Sequence, residues 1–184
     1  EYNVTSNAPL RGAKSQLYEG GIREPMIVSW TGTLPENETS DAVVNILDFY
    51  PTVLDLTQIK PDPAQKLDGV SFASVLKNPA TTLDRDTHYW HYPLDKKHFL
   101  GGRSAGAIRK GDWKLIEFFD TGKVELYNLK DDIGESQNLA EEQPERAAKL
   151  LALLQNWRKS NDISIPENCM NYDPTVRDHT WKGN

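Results

Sequence analysis

The clearest pattern of apolar and polar positions lies between residues 104 and 129. Three short segments in this block alternate apolar with polar side chains and predict β-strands: 105–109, 113–119 and 124–129. The intervening residues 110–112 and 120–122 each contain a glycine and have the length of hairpin turns. We therefore predict an antiparallel meander in which one face is dry and Lys114 belongs to the other face.

A helical pattern follows the meander, from Pro144 to about Lys159. Apolar residues recur there at helical spacing, and polar residues occupy the other side. The apolar set is Ala147, Leu150, Leu151, Leu154 and Trp157, and the opposite set is Arg146, Lys149, Asn156 and Arg158. Proline suits the first turn of a helix. We expect this helix to lie on the sheet with its apolar stripe in the core, and we assign no cofactor to it.

The first half of the chain combines one apolar run with two helical patterns. Met26–Trp30 predicts a buried strand, and Pro25 pushes the residue before it into an extended conformation. The predicted helices are 48–56, with Asp48 as N-cap, and 72–77, with Ser71 as N-cap.

Residues 11–25 bring charged residues and glycines together in one short segment. They place Lys14, Glu19 and Arg23 on a tight loop, in which two adjacent glycines allow the backbone to turn where a side chain would clash. Cations on such a loop suit the binding of an anionic group. Glu19 and Arg23 are four residues apart and are expected to pair with each other. Lys14 has no acid at that spacing, so it is the freer candidate for a ligand.

Residues 85–103 form a second informative stretch, because three of the four histidines lie there among aromatic side chains. Two interpretations stay open. His88, His91 and Arg103 suit a pocket for a sugar or an anionic ligand. Alternatively, an aromatic strand packs into a core and the histidines bond to backbone. The two histidines are three residues apart, which puts them on opposite faces of a strand and disfavours a joint metal site.

Composition excludes several classes of function. The net charge is −6 and the sequence pI is about 5.2, with the basic residues scattered among acids, which argues against nucleic acid as a partner. No apolar run approaches the roughly 18 residues of a membrane span, so we predict no membrane partner. The single cysteine, Cys169, excludes an internal disulfide framework and a cysteine-rich metal site.

Two blocks of sequence closely resemble the type I, arylsulfatase-like sulfatases of the alkaline phosphatase superfamily. The first block comprises residues 9–14 and 17–25, and the second comprises residues 106–116, 125–129, 134–135 and 138–140. The resemblance implies that Lys14 is a catalytic residue that contacts the sulfate ester. It also implies that His91, Arg103 and His88 are substrate contacts and that Glu19 belongs to the scaffold.

The resemblance implies a fold, a substrate and a location. The expected class is α/β, and α+β within this portion. Residues 1–84 would end an alkaline-phosphatase-like catalytic domain, and residues 85–184 would form a C-terminal subdomain of antiparallel sheet and long helix. The implied substrate is a sulfated small molecule or glycan. The implied location is periplasmic or secreted, or lysosomal in a eukaryote.

Several parts of a sulfatase site have no counterpart in this sequence. The family's nucleophile is a formylglycine matured from a Cys- or Ser-x-Pro-Ser/Ala-Arg motif, and Cys169 is followed by Met-Asn-Tyr instead. The family's calcium ligands and the histidine that assists the leaving group also lack an equivalent. Calcium is therefore implied as a cofactor without a ligand here. We expect a missing N-terminal portion to supply these groups, and the 184 residues alone to be inactive.

Two alternatives remain open. One is a phosphoesterase or phosphonate hydrolase of the same superfamily, which would use a similar arrangement of metal and cation. The other is a non-catalytic glycan-binding module, with residues 88–103 as its binding face.

Overall fold

The computed structural model describes residues 6–95 and 101–170. Its strands are β1 Thr87–Tyr92, β2 Ala105–Lys110, β3 Trp113–Phe118 and β4 Val124–Asn128. Its helices are α1 Glu19–Ile22, α2 Phe49–Thr57, α3 Ala73–Lys77, α4 Pro144–Ser160 and α5 Glu167–Met170, and a 3-10 turn occupies Ile46–Asp48. Within the described ranges, no helix combines the length and apolarity that crossing a bilayer requires.

The four strands form one antiparallel sheet in the order β1-β2-β3-β4. Each strand pairs with its neighbour in sequence, and Ala107, for example, lies opposite Trp90 on one side and Ile116 on the other. The predicted meander is confirmed, and the aromatic segment Thr87–Tyr92 adds a fourth strand at its edge. The expected α+β content of this portion is confirmed as well.

Both faces of the sheet are covered, although we expected one dry face. Helix α4 covers the first face, where the buried cluster is Ile108, Leu115, Leu126, Ala147, Leu150 and Leu154. Residues 7–23, which we call the N-terminal segment, cover the second face. Leu17 and Tyr18 of this segment pack against a second cluster: Ala105, Ala107, Ile116, Phe118, Tyr127 and Leu129. Lys114 belongs to this second face and is completely buried there.

Helix α4 begins at Pro144, as predicted, and extends to Ser160. Its apolar stripe contacts the sheet, but Arg158, which the pattern places on the solvent side, is buried. Arg158 Nη2 donates a 2.6 Å hydrogen bond to Glu117 Oε2 of β3. The prediction for Arg158 was wrong because a long side chain can reach back over the sheet when a carboxylate is there to meet it.

The described residues cluster into two compact units: residues 6–24, 87–95 and 101–170 form the first, and residues 25–86 form the second. Residues 6–24 therefore pack with the sheet. The predicted division between residues 84 and 85 concerns a whole enzyme and stays a prediction.

The predicted strand at Met26–Trp30 does not form in the second unit, Pro25–Asp86. The run has no regular secondary structure, and Ile27 is 94% exposed. A strand needs a neighbour to complete its hydrogen-bonded ladder, and no other strand lies in this unit within the part of the chain that the structure describes.

Asp48 is the polar centre of the second unit. Its buried carboxylate accepts hydrogen bonds from the backbone N–H of Asn45 at 2.8 Å, from that of Val70 at 2.9 Å, and from Arg85 Nη1 at 2.6 Å. We had predicted that this side chain caps α2. Helix α2 does begin at the next residue, but the Asp48 side chain makes no capping hydrogen bond to it. Burial alone would raise the pKa of Asp48, but the bonds from Arg85, Asn45 and Val70 hold it below its ordinary value.

We predict that Asp48→Asn lowers the free energy of unfolding of this unit by about 3 kcal/mol, because it leaves Arg85 without its carboxylate. Hydrogen exchange of the Val70 amide measures the loss. A carboxylate whose pKa is lower in the folded state than in the unfolded state stabilises the fold at pH values above the unfolded-state pKa. This stabilisation is lost as the pH falls through the folded-state pKa. The difference from wild type should therefore shrink on acidification. Asp55→Asn, at an exposed helical carboxylate, is the control.

Candidate functional site

Lys14 lies in a turn of the N-terminal segment. Its side chain is exposed, and the next residue, Ser15, has a positive φ of 74° that sharpens the turn. Within the described part of the chain, no acidic side chain pairs with the Lys14 ammonium. The predicted freedom of this lysine is thus consistent with its surroundings.

Helix α1 closes the same segment, and its two glycines allow the backbone to pack against itself. A Cβ at Gly20 would lie 2.5 Å from the carbonyl oxygen of Gly12, and one at Gly21 would lie 2.5 Å from that of Ala13. Both distances are far inside van der Waals contact. The predicted clash is confirmed, and its partners are backbone atoms beside Lys14.

Three buried charges join the N-terminal segment to the sheet. Lys114 Nζ of β3 lies 2.9 Å from Glu19 Oε1 and 2.8 Å from Glu135 Oε1. The backbone N–H of Glu19 also donates a 2.6 Å hydrogen bond to Glu135 Oε2. We call Glu19, Lys114 and Glu135 the charge cluster. The expected pair of Glu19 with Arg23 exists at 3.8 Å, but Lys114 is the nearer partner.

Burial dominates the electrostatics of Glu135. It raises the pKa of this carboxyl above its ordinary value, while the charge and hydrogen bond of Lys114 and the backbone N–H of Glu19 oppose the rise. Glu19 receives further positive charge from Arg109, whose Nη1 lies 3.9 Å from Glu19 Oε2. The cations around the two carboxylates are what make their burial tolerable.

A second network surrounds Arg11, on the same face of the sheet. The guanidinium lies over the Tyr18 ring at 4.0 Å, and its Nη1 donates to Tyr127 Oη at 2.8 Å. Both tyrosine hydroxyls donate to Glu125 Oε2, at 2.8 Å from Tyr18 and 2.7 Å from Tyr127. Burial and the contact with Glu125 raise the pKa of both phenols, so they stay protonated donors.

We predict that Lys114→Met destabilises the unit containing the sheet by about 3 kcal/mol, because it leaves two carboxylates buried with their closest cation removed. Denaturant unfolding should show a clearly lowered midpoint. Lys123→Met, at an exposed position in the turn before β4, should leave the midpoint nearly unchanged. Equal midpoints for the two variants would mean that the charge cluster contributes nothing to stability.

The two histidines of β1 lie on opposite faces of the sheet, as their spacing predicts. His88 is buried on the face that the N-terminal segment covers, and its ring stacks near Trp90 with centroids 6.2 Å apart. His91 lies on the α4 face, where its ring packs 5.3 Å from that of Phe119. The structure does not bring His91 together with Lys14. The substrate contacts proposed for both histidines stay predictions.

The surroundings of His91 make the stability of the fold depend on pH. Burial lowers the pKa of His91, and the nearby Arg158 lowers it further, while a hydrogen bond to the backbone of Ser164 opposes the shift. A base with a depressed folded-state pKa binds protons more readily when unfolded, so stability falls as pH drops through the unfolded value, 6.5.

We predict that His91→Phe makes the loss of stability below that pH shallower than in wild type. Denaturant unfolding at a series of pH values measures the slope. Phe keeps the packing against Phe119 but loses the hydrogen bond to the exposed Ser164, so the stability at neutral pH should fall by no more than about 1 kcal/mol. An unchanged slope would contradict the assignment of this acid sensitivity to His91.

Arg103, unlike His91, lies on the side of the sheet that the N-terminal segment covers. Its guanidinium makes a two-point contact with Asp120, with Nη2 2.8 Å from Oδ1 and Nε 3.1 Å from Oδ2, and it lies 4.1 Å above the Phe118 ring. It also lines a half-open pocket of about 240 Å³ together with Arg11, Gln16 and other residues. The structure thus brings Arg103 and Gln16, two residues from Lys14, to one pocket.

The described residues do not supply a metal centre. Within ranges 6–95 and 101–170, no group of three or more His, Cys, Asp or Glu side chains has the geometry to hold an ion. The calcium implied by the resemblance does not fit these residues, and we derive no step through it.

Sequence reasoning missed the charge cluster. Lys114 and Glu19 are 95 residues apart, and Glu135 lies in a turn whose sequence suggests only a loop. The sequence of β3 does contain one indication of the cluster. Lys114 lies on the same face of the strand as Ile116 and Phe118, and a lysine on an otherwise apolar face indicates a buried carboxylate partner.

Comparison with known proteins places this architecture among sulfatases. The family model described as N-sulphoglucosamine sulphohydrolase, C-terminal, matches residues 13–160. A sulfatase of Formosa agariphila is 36% identical over 161 residues, covering 83% of this chain and 29% of that protein. The N-acetylglucosamine-6-O-sulfatase of Bacteroides thetaiotaomicron is 28% identical over 165 residues, covering 84% of this chain and 28% of that protein. The chain therefore spans less than a third of the length of these relatives.

Solved structures agree with the fold. The crystal structure of Ps i-CgsB in complex with k-i-k-neocarrahexaose matches with a TM-score of 0.69 and 26% identity, covering 88% of this chain and 34% of that one. The structure of BT4656 in complex with its substrate, D-glucosamine-2-N,6-O-disulfate, matches with a TM-score of 0.54 and 29% identity, covering 65% and 25%.

Proposed function

Because this chain belongs to the sulfatase family, within the alkaline phosphatase-like superfamily, we propose that it is the C-terminal part of an enzyme that hydrolyses sulfate esters of a carbohydrate. The observation that carries the proposal is the presentation of Lys14. Its ammonium is exposed and free of acidic partners among the described residues, on a segment that buried charges hold against the sheet. The sugar ligands of BT4656 and Ps i-CgsB support a carbohydrate substrate.

Lys14 is suited to bind the sulfate group and to stabilise the charge that builds up on its oxygens. A lysine ammonium is a compact point charge with three donors, so it can follow an oxygen whose charge grows as the ester bond breaks. A donor placed for the transition state contributes more to turnover than one that binds substrate and transition state equally.

The reacting centre of the whole enzyme needs groups that this sequence does not provide. The formylglycine nucleophile and calcium would come from another part of the protein, as in the family that the sequence resembles. This chain would contribute Lys14, and Arg103 as a positioned cation at the neighbouring pocket. The 184 residues alone are expected to be inactive, and the whole protein is expected to act in the periplasm, outside the cell or in the lysosome.

Residues 1–84 are proposed to end the catalytic α/β domain, and the exposed surface of the unit Pro25–Asp86 supports this. The apolar side chains of this unit are unusually exposed, with Ile27 at 94% and Ile46 at 77%. Exposed apolar surface of this extent is typical of an interface rather than of a free surface. The run Met26–Trp30 would then take the strand conformation that its sequence favours once neighbouring strands are present.

We predict that Lys14→Ala in the full-length enzyme lowers turnover of a sulfate ester by at least about a hundredfold, the usual loss when one donor to a developing oxyanion is removed. Lys123→Ala, which removes an exposed lysine elsewhere in the same unit, is the control and should keep normal turnover. Steady-state kinetics on a sulfated monosaccharide measures both variants.

Near-normal turnover of Lys14→Ala would contradict the proposal. Parallel assays with sulfate and phosphate esters of one alcohol test the substrate class, and a preference for phosphate would favour the related phosphoesterases. Peptide mapping of the full-length protein tests the nucleophile, because the proposal requires a formylglycine upstream of this chain.

A further inference from the structure

One residue of the sheet unit holds both ends of the turn that presents Lys14. The backbone carbonyl of Glu135 accepts a 2.9 Å hydrogen bond from Arg11 Nη1, before Lys14 in the chain. The carboxylate of Glu135 accepts a 2.6 Å hydrogen bond from the backbone N–H of Glu19, after it. The residues between Arg11 and Glu19 thus form a loop that is fastened at both ends to Glu135.

Glu135 is itself firmly fixed. It is completely buried, and its φ of 51° lies in the left-handed region that residues with a side chain seldom adopt. Such a conformation persists only where surrounding contacts determine it. Here the ammonium of Lys114 lies 2.8 Å from one carboxylate oxygen, and the Glu135 N–H donates to the carbonyl of Asp132 at 3.2 Å.

We propose that Glu135 is a positioning residue for Lys14, and that it sets the place of the ammonium by fastening both ends of the loop. This inference rests on the proposed function, since it assigns Glu135 a role in the same reaction. Glu135 does not touch the substrate. It acts through the backbone of the loop.

The chemistry of the two contacts explains why a carboxylate is needed. Each oxygen of Glu135 faces a donor, Lys114 on one side and the Glu19 N–H on the other. A glutamine at this position has a single side-chain oxygen, so its NH₂ group must face one of the two donors. Glu135→Gln therefore loses a contact in either orientation while keeping the size of the side chain.

A small displacement of the loop is expected to matter for turnover. An error of about 1 Å in the position of a catalytic group lowers rates by up to roughly a hundredfold. We expect Glu135→Gln in the full-length enzyme to lower kcat by about tenfold to a hundredfold. KM should change much less, because the exposed ammonium remains available to bind the ground state.

Glu117→Gln is the matched control. Glu117 lies in the same sheet and pairs with the buried Arg158 at 2.6 Å, but it belongs to the α4 face and does not contact the N-terminal segment. A kcat loss in Glu117→Gln as large as that in Glu135→Gln would show that general damage to the sheet explains both, and it would overturn the inference.

A double-variant cycle separates positioning from simple stability. If Glu135 acts through Lys14, then Glu135→Gln should cost almost nothing further in kcat when Lys14 is already alanine. A purely structural role predicts the same fractional loss in both backgrounds. An equal loss would overturn the inference and would leave the role of Lys14 untouched.

Trypsin cleavage after Lys14 in the full-length enzyme gives a readout that is independent of activity. Cleavage follows the population of the open loop, and losing a hydrogen bond to a charged group should raise the rate by about tenfold or more in Glu135→Gln. Glu117→Gln should be cleaved at the wild-type rate. Unchanged cleavage in Glu135→Gln would mean that Glu135 does not hold the loop.

The two proposals fail in different ways. Normal turnover of Lys14→Ala overturns the proposed function, and the inference with it. A hundredfold loss in Lys14→Ala, together with normal kcat and cleavage in Glu135→Gln, overturns the inference alone.

Discussion

The pairing of one buried ammonium with two buried carboxylates is the constraint on which the sheet unit depends. A charge taken out of water is stable only beside an opposite charge, so Lys114 requires Glu19 and Glu135 at their observed distances of 2.9 Å and 2.8 Å. Apolar contacts alone would allow the N-terminal segment to slide along the sheet. The charge cluster prevents this movement, because a shift of one residue would leave a carboxylate without its partner.

The two faces of the sheet are consequently held in different ways. Helix α4 packs on one face mainly through leucines, which tolerate substitution as long as volume is kept. The N-terminal segment packs on the other face through charges and phenols whose partners are specified atom by atom. This second kind of contact fixes geometry, which is what a segment carrying Lys14 needs.

Local patterns predicted what depends on local sequence. The meander, helix α4 and the crowded glycines beside Lys14 were all predicted from periodicity and turn residues, since neighbours along the chain determine them. Alternation shows which side chains share a face, but not what covers that face. Lys114 and Arg158 therefore looked solvated, although their partners, Glu19 and Glu117, lie on distant elements. The strand expected at Met26–Trp30 failed for a related reason, because a strand needs a neighbour and an apolar run does not supply one.

The candidate site was predicted from a resemblance, and its surroundings give a physical argument for the same lysine. The N-terminal segment carries three cations: Arg11, Lys14 and Arg23. Arg11 bonds to Tyr127 and to the carbonyl of Glu135, and Arg23 lies beside Glu19. Lys14 has no acidic partner among the residues that the structure describes, and it is exposed. Arg23 is also exposed, but it lies 3.8 Å from a carboxylate, whereas the Lys14 ammonium has no such neighbour among the described residues. Lys14 is therefore the cation of this segment best suited to bind an anion from outside, and a sulfate ester is such an anion.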